Sequence, residues 1–119
     1  MLHKHHKFMW SFTRSLFLSF KRPVFIYLTT LSLTLHIFFA AIFYLAERYR
    51  NTSINSFFDA FYYTVTIMTG VGLGDIAATT TAGRIISMLM MLSGTVIFVC
   101  FTGVLAASIL QIESEHIRK

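Results

Sequence analysis

Hydrophobic and polar positions divide this chain into two long apolar runs with a mixed segment between them. The first run extends over residues 23–46 almost without a polar break. At about 1.5 Å per helical residue it crosses a hydrocarbon core of roughly 30 Å with some tilt. Pro23 suits the first turn of that helix. Glu47, Arg48 and Arg50 are expected to end it in water. The second run covers residues 85–112, with Ser87, Ser93, Thr95, Thr102 and Ser108 as its hydroxyls. Between the runs, residues 51–55 read as a polar turn, and Ser56 or Asn55 caps a helix over 56–68. Asp59 in its first turn has the favourable sign for the helix dipole. That helix is too short to span, and it stops before a glycine-rich segment, so it reads as re-entrant. Residues 76–83 are small and polar.

The flanks follow other patterns. Within residues 1–22, Lys7, Arg14 and Lys21 recur every seven positions, while Phe8, Phe12, Leu16 and Phe20 recur every four. The two stripes fall on different sides of a helix, which fits an interfacial helix lying on the cytoplasmic leaflet. Residues 113–119 form a polar helical tail.

Composition sharpens this picture. The chain is 55% hydrophobic and 13% charged, and a soluble domain carries about 25% charge. Membrane lipid is therefore the expected surrounding. The net charge of +5 does not form a patch on a polar domain, so nucleic acid is not an expected partner. Lys4, Lys7, Arg14, Lys21 and Arg22 precede the first span, and Arg118 and Lys119 follow the second. That placement puts both termini in the cytoplasm of a multi-pass protein of the plasma (cell inner) membrane. Arg48, Arg50 and Arg84 weaken the bias without reversing it. The first apolar run is too long for a signal peptide and lacks a small-residue cleavage site.

Cys100 is the one cysteine, excludes an intrachain disulfide, and reads as a small buried hydrophobe. His3, His5 and His6 read as a solvated basic tail, because no carboxylate or cysteine completes a metal site. His36 sits mid-span without an acidic partner in the span, which favours a neutral packing or hydrogen-bonding role over a proton relay. No nucleophile–base pair appears, so an enzyme is not expected.

The candidate chemistry lies in residues 69–75, Thr-Gly-Val-Gly-Leu-Gly-Asp. Alternating glycines permit left-handed backbone angles that other residues resist. A strand of alternating handedness can point successive carbonyl oxygens the same way. Such backbone is tolerated at membrane depth only where it is buried in protein or lines a water-filled cavity. Backbone oxygens are hard ligands that suit alkali cations. The carbonyls of Gly70, Val71, Gly72 and Leu73, with those of Thr69 and Gly74 beside them, can replace a cation's hydration shell. One strand has too few oxygens to surround an ion, so a cyclic homo-oligomer is implied. The carbonyl end of the 56–68 helix points its negative pole toward this segment. Asp75 can accept a hydrogen bond from Tyr62 or Tyr63 and so brace the filter.

The order of outer helix, pore helix, Gly-Val-Gly-Leu-Gly-Asp and inner helix resembles the two-span pore module of potassium channels. The resemblance covers about residues 23–112. It implies an all-α membrane protein: two transmembrane helices (23–46 and 85–112), a re-entrant pore helix (56–68) and a selectivity-filter loop (69–75), assembled as a tetrameric pore. It implies passive conduction of K+ with no organic cofactor. Gly94 matches the family's gating hinge on the inner helix, with close helix packing as the plain alternative. Thr95, Phe98, Thr102, Ala106 and Leu110 match its cavity-lining face. Gly103 is either a packing point or a wide spot in the pore. Glu113 and Glu115 are placed to concentrate cations at the inner mouth, or simply to solvate a helix end.

Two departures from the family's Thr-Val-Gly-Tyr-Gly-Asp stand out. Gly70 replaces the threonine and removes the hydroxyl ring of the innermost ion site. Leu73 replaces the tyrosine and loses a bracing hydroxyl. Thr66 stands where some relatives hold a glutamate behind the filter. A weakly selective cation channel is therefore the alternative, and a non-conducting membrane interaction protein is a second. No arginine-rich sensor span is present, so voltage sensing of that type is not expected. In the family a cytoplasmic regulatory domain often follows the inner helix. The chain then reads either as a minimal channel or as a piece of one whose C-terminal regulatory domain is absent from it.

Overall fold

A computed structural model describes residues 2–118, with side chains for residues 9, 10, 12–14, 16–111, 114 and 118. The expectations placed on His3, His5, His6, Lys7, Phe8, Glu113 and Glu115 concern side chains outside the described residues. The described chain is helical: α1 (Leu2–Ser19), α2 (Pro23–Glu47), α3 (Phe57–Met68) and α4 (Thr81–Ile117). It divides into two compact units, one of residues Thr30–Val99 and one of the chain up to Thr29 and from Cys100 onward.

The Thr30–Val99 unit holds the core. Phe39, Phe43, Ile54, Ala60, Tyr63, Met68 and Met90 are buried together. The rings of Phe43 on α2 and Tyr63 on α3 stack with centroids 4.3 Å apart. Tyr63 also joins Ser87 of α4 through its hydroxyl at 2.8 Å. One residue of the short helix thus holds both long ones.

The start of α3 is fixed by Ser56, in extended backbone, whose hydroxyl accepts from the Asp59 amide at 3.3 Å. Asp59 returns the contact by accepting from the amides of Ser56 at 2.8 Å and Asn55 at 3.0 Å. These bonds, first those from Ser56, hold the Asp59 carboxyl below its ordinary pKa. Because the folded pKa is depressed, the box stabilises the fold above the unfolded value and loses that effect as pH falls through the folded one. Ser56→Ala should cost about 1 kcal/mol. The variant should also melt with a shallower dependence on acid pH than the parent, read by thermal unfolding in detergent across an acid pH series.

In the second unit, the ring of Phe25 near the start of α2 lies 5.2 Å from Phe20 and 6.0 Å from Phe101 of α4. The Arg22 guanidinium donates to the Gln111 side-chain oxygen at 3.1 Å.

Both long helices expose apolar side chains. Only 17% of the most apolar window of each is buried. Ile26, Leu33, Ile37 and Phe38 on α2 and Leu89, Leu92, Val96 and Val99 on α4 are all exposed. A helix in water buries such a face against a core, whereas one apolar all round and left uncovered suits lipid.

Three features differ from expectation. The inner helix begins at Thr81, not 85, because the Thr80 hydroxyl accepts from the Gly83 amide at 2.9 Å and caps four more residues into it. Glu47 does not end the outer helix in water, because its side chain is wholly buried. Cys100 is exposed rather than buried, on an α4 whose apolar surface is itself uncovered.

Candidate ion pathway

The pathway is built from the end of α3. The helix closes at Thr69, whose amide and hydroxyl both donate to the Val65 carbonyl, at 3.1 and 2.6 Å. The chain then turns back on itself. The Gly70 amide donates to the Ile67 carbonyl at 3.2 Å, and the Gly72 amide to the Thr66 carbonyl at 2.9 Å. The glycine segment is therefore held against the carbonyl end of the helix by main-chain bonds.

Gly70, Gly72 and Gly74 have φ of +76°, +53° and +79°, and no other residue has positive φ among those described. A Cβ built on any of the three meets nothing within 4 Å. Glycine is needed here for its backbone angle and not for space, since left-handed angles cost other residues roughly 1–2 kcal/mol each. Every second residue is left-handed. Val71 and Leu73 between them are 63% and 60% exposed, so their side chains find little cover within the chain.

The residues behind the segment divide their work. Tyr62 donates its hydroxyl to the Asp75 carboxylate, and that bond, more than burial or charge, raises the phenol's pKa. Tyr63 is turned away to Ser87 and Phe43. Buried Thr66 donates to the Tyr63 carbonyl at 2.8 Å and accepts from Gly72 through its own carbonyl. A cavity of about 390 Å³ lies behind the segment, lined by Thr66, Ile67, Gly72, Ile76, Ser87 and Met91 among others.

Gly94 sits directly on the last turn of α3, and a Cβ there would collide with the backbone of Met68. The structure gives this glycine a packing reason of its own. A Cβ at Gly103 would meet nothing. Thr95, Phe98, Thr102, Ala106 and Leu110 are each exposed on α4. His36 turns its Nδ1 to the Ser32 carbonyl of its own helix at 2.7 Å. No group of three or more metal-ligating side chains occurs among the described residues.

Sequence reasoning missed a buried cluster where the outer helix ends and the inner helix begins. Glu47 accepts hydrogen bonds from Asn51, Thr79 and Thr80, and Asn51 is itself 5% exposed. The available signal was the sole acid of the outer helix, together with the adjacent Thr79 and Thr80 just before the inner helix and Gly83 in its first turn.

A short helix that ends on a left-handed glycine ladder, set between two membrane-length helices, defines the pore module of a channel. The sequence profile of the family described as "ion channel" matches residues 24–111, and the chain belongs to that family. It is a membrane protein and not an enzyme. It is 40% identical over 67 residues to a hyperpolarization-activated voltage-gated potassium channel of Methanocaldococcus jannaschii, covering 54% of this chain and 32% of that one. A calcium-gated potassium channel of Thermoplasma volcanium is 32% identical over 65 residues, 55% of this chain and 19% of that one. The voltage-gated potassium channel protein Shal of Drosophila melanogaster is 29% identical over 89 residues, 75% and 16% of the two chains. The chain thus spans a third or less of the length of these relatives.

Proposed function

We propose that this chain forms a homotetrameric, potassium-selective pore that conducts K+ passively across the cell membrane. The observation that carries the reading is the left-handed alternation at Gly70, Gly72 and Gly74, fixed against the end of α3. Alternation of this kind lets the carbonyls of residues 69–74 share one direction and take the place of a cation's water. The exposed Val71 and Leu73 support convergence of several chains, since a neighbouring copy would cover them. The potassium channels among its relatives favour K+ as the cargo. Asp75, Tyr62 and Thr66 support the filter in this reading, and Tyr63 supports it through Ser87. Gly94 is both a packing point and the hinge of the inner helix. Both termini lie in the cytoplasm, with α1 on the inner leaflet, a placement supported by exposed Trp10, Phe17, Leu18 and Phe20 beside basic Arg14, Lys21 and Arg22. A cytoplasmic regulatory domain accompanies the pore in this reading, as the greater length of its relatives suggests.

The test is potassium flux from vesicles loaded with the purified protein, together with its native mass. Efflux carried by a four-chain species supports the reading, and a four-chain species that passes no ion refutes it. Weak selectivity is the second reading, favoured by Gly70 where a hydroxyl ring would stand. Gly70→Thr should lower sodium permeability relative to potassium several-fold, read as a shift of reversal potential toward the potassium limit. An unchanged ratio would show that the missing hydroxyl does not set selectivity.

A further inference from the structure

Two methionines of the inner helix share a cavity with the back of the glycine segment. Met88 and Met91 are 55% and 48% exposed, while Met68 and Met90 are 5% and 0% exposed and belong to the core. Met90 is the direct neighbour of Met91, so the difference comes from the face of α4 that each occupies and not from local sequence. Arg84, Met88 and Met91 follow one another at spacings of four and three, which sets them along one stripe of the helix. That stripe lines the cavity of about 390 Å³, and Gly72 and Gly74 line the same space. Ile67 and Ile76 add apolar wall to it. The Arg84 Nε donates to the Ala78 carbonyl over 3.4 Å, which leaves the other guanidinium N–H donors for a new acceptor. All of these residues lie in the Thr30–Val99 unit. Leucine would cover an apolar wall as well as methionine does. What methionine adds is a polarizable sulfur whose lone pairs react with oxidants.

We infer that Met88 and Met91 are an oxidation site for an organic hydroperoxide of the lipid phase, and that oxygen added there acts on the filter from behind. The surroundings set the oxidant: an uncovered apolar helix meets lipid, and a peroxidised acyl chain is a hydroperoxide. The thioether sulfur attacks the terminal oxygen of the hydroperoxide. The S–O bond forms as the O–O bond breaks. Sulfur gives up two electrons and becomes a sulfoxide. The hydroperoxide is reduced to an alcohol, whose remaining oxygen takes up the proton that the terminal oxygen carried. Arg84 assists from the same stripe. Its N–H groups donate to the departing oxygen and then to the sulfoxide oxygen of Met88, one turn away. A flexible apolar side chain becomes a polar one. Polar oxygen draws water into a space otherwise walled by Ile67 and Ile76, and the backing of Gly72 and Gly74 loosens. This effect on current rests on the conducting reading of residues 69–75.

The test treats the full chain in lipid vesicles with tert-butyl hydroperoxide and maps each methionine by mass spectrometry. Met88 and Met91 should each gain one oxygen at least about tenfold faster than Met68 and Met90. In Arg84→Gln the rate at Met88 should fall about threefold, while Met9, exposed on α1, oxidises as before. A thioether that is merely exposed would not respond to Arg84. Potassium flux through the oxidised parent should fall at least about twofold. The double variant Met88→Leu, Met91→Leu conserves volume and should keep its flux under the same treatment. Met88→Leu alone carries the same comparison if the double variant does not assemble. Equal rates at all four methionines overturn the inference, as does a parent oxidised at both sulfurs with its flux unchanged. A parent that passes no ion before treatment overturns the conducting reading, and the mass map then decides the oxidation site by itself.

Discussion

Gly72→Ala should abolish ion flux while leaving a folded, membrane-inserted protein. Nothing lies within 4 Å of the added methyl, so the substitution meets no steric obstacle. The cost is in the backbone, where φ of +53° is held against the preference of every L side chain. That preference is worth roughly 1–2 kcal/mol per chain, and the proposed fourfold pore would meet it four times around one axis. The segment relieves it by rotating the peptide, which turns a carbonyl away from the ion. Flux into vesicles should fall at least about a hundredfold, while melting temperature and native mass change little. Flux near that of the parent would show that the alternation of handedness is not what conducts. Gly74→Ala, at φ +79°, should behave in the same way.

Gly94→Ala should have the opposite signature and fail by destabilisation. The methyl group would occupy the position of the Met68 backbone, which cannot withdraw without dragging the end of α3 and the Gly70–Gly72 turn with it. In lipid, helices are held by close packing more than by exclusion of water, so a lost fit is not offset elsewhere. Overpacking of this kind costs about 1–3 kcal/mol, and backbone contact puts the change at the upper end. Thermal unfolding in detergent should shift down clearly and the yield of assembled protein should drop. If Gly94 served as a hinge alone, alanine would slow gating and leave stability intact. An unshifted melting curve with altered open times would therefore assign the glycine to bending and not to packing.

The contrast between these two glycines shows what the chain reveals in one dimension. The glycines at 70, 72 and 74 announce themselves, because a regular alternation beside a short helix has few uses apart from a backbone of alternating hand. The spans are legible for a similar reason, since uninterrupted apolar length is a property of sequence. Partners across space are not. Nothing local says that Tyr62 reaches Asp75 while Tyr63, its neighbour, turns to Ser87 and Phe43. Nor does the sequence say that Gly94 meets Met68, because that contact depends on where the turn after α3 brings the helix end. Glu47 is the clearest case. Beside Arg48 and Arg50 it looks like the solvated end of a span, and only the return of Thr79 and Thr80 to the same point buries it. Cys100 is the converse: in an aqueous fold its run of neighbours would bury it, and here it lies exposed on a helix whose apolar surface is itself uncovered.

The central claim is that the carbonyl ladder of residues 69–74 selects potassium. The most direct measurement is the reversal potential of the purified protein in a planar bilayer, with potassium on one side and sodium on the other. The account predicts a value close to the potassium limit, with Gly72→Ala silent under the same conditions. A clear current that reverses near zero would contradict it, and would make this a pore that admits both cations with Gly70 as the first residue to restore.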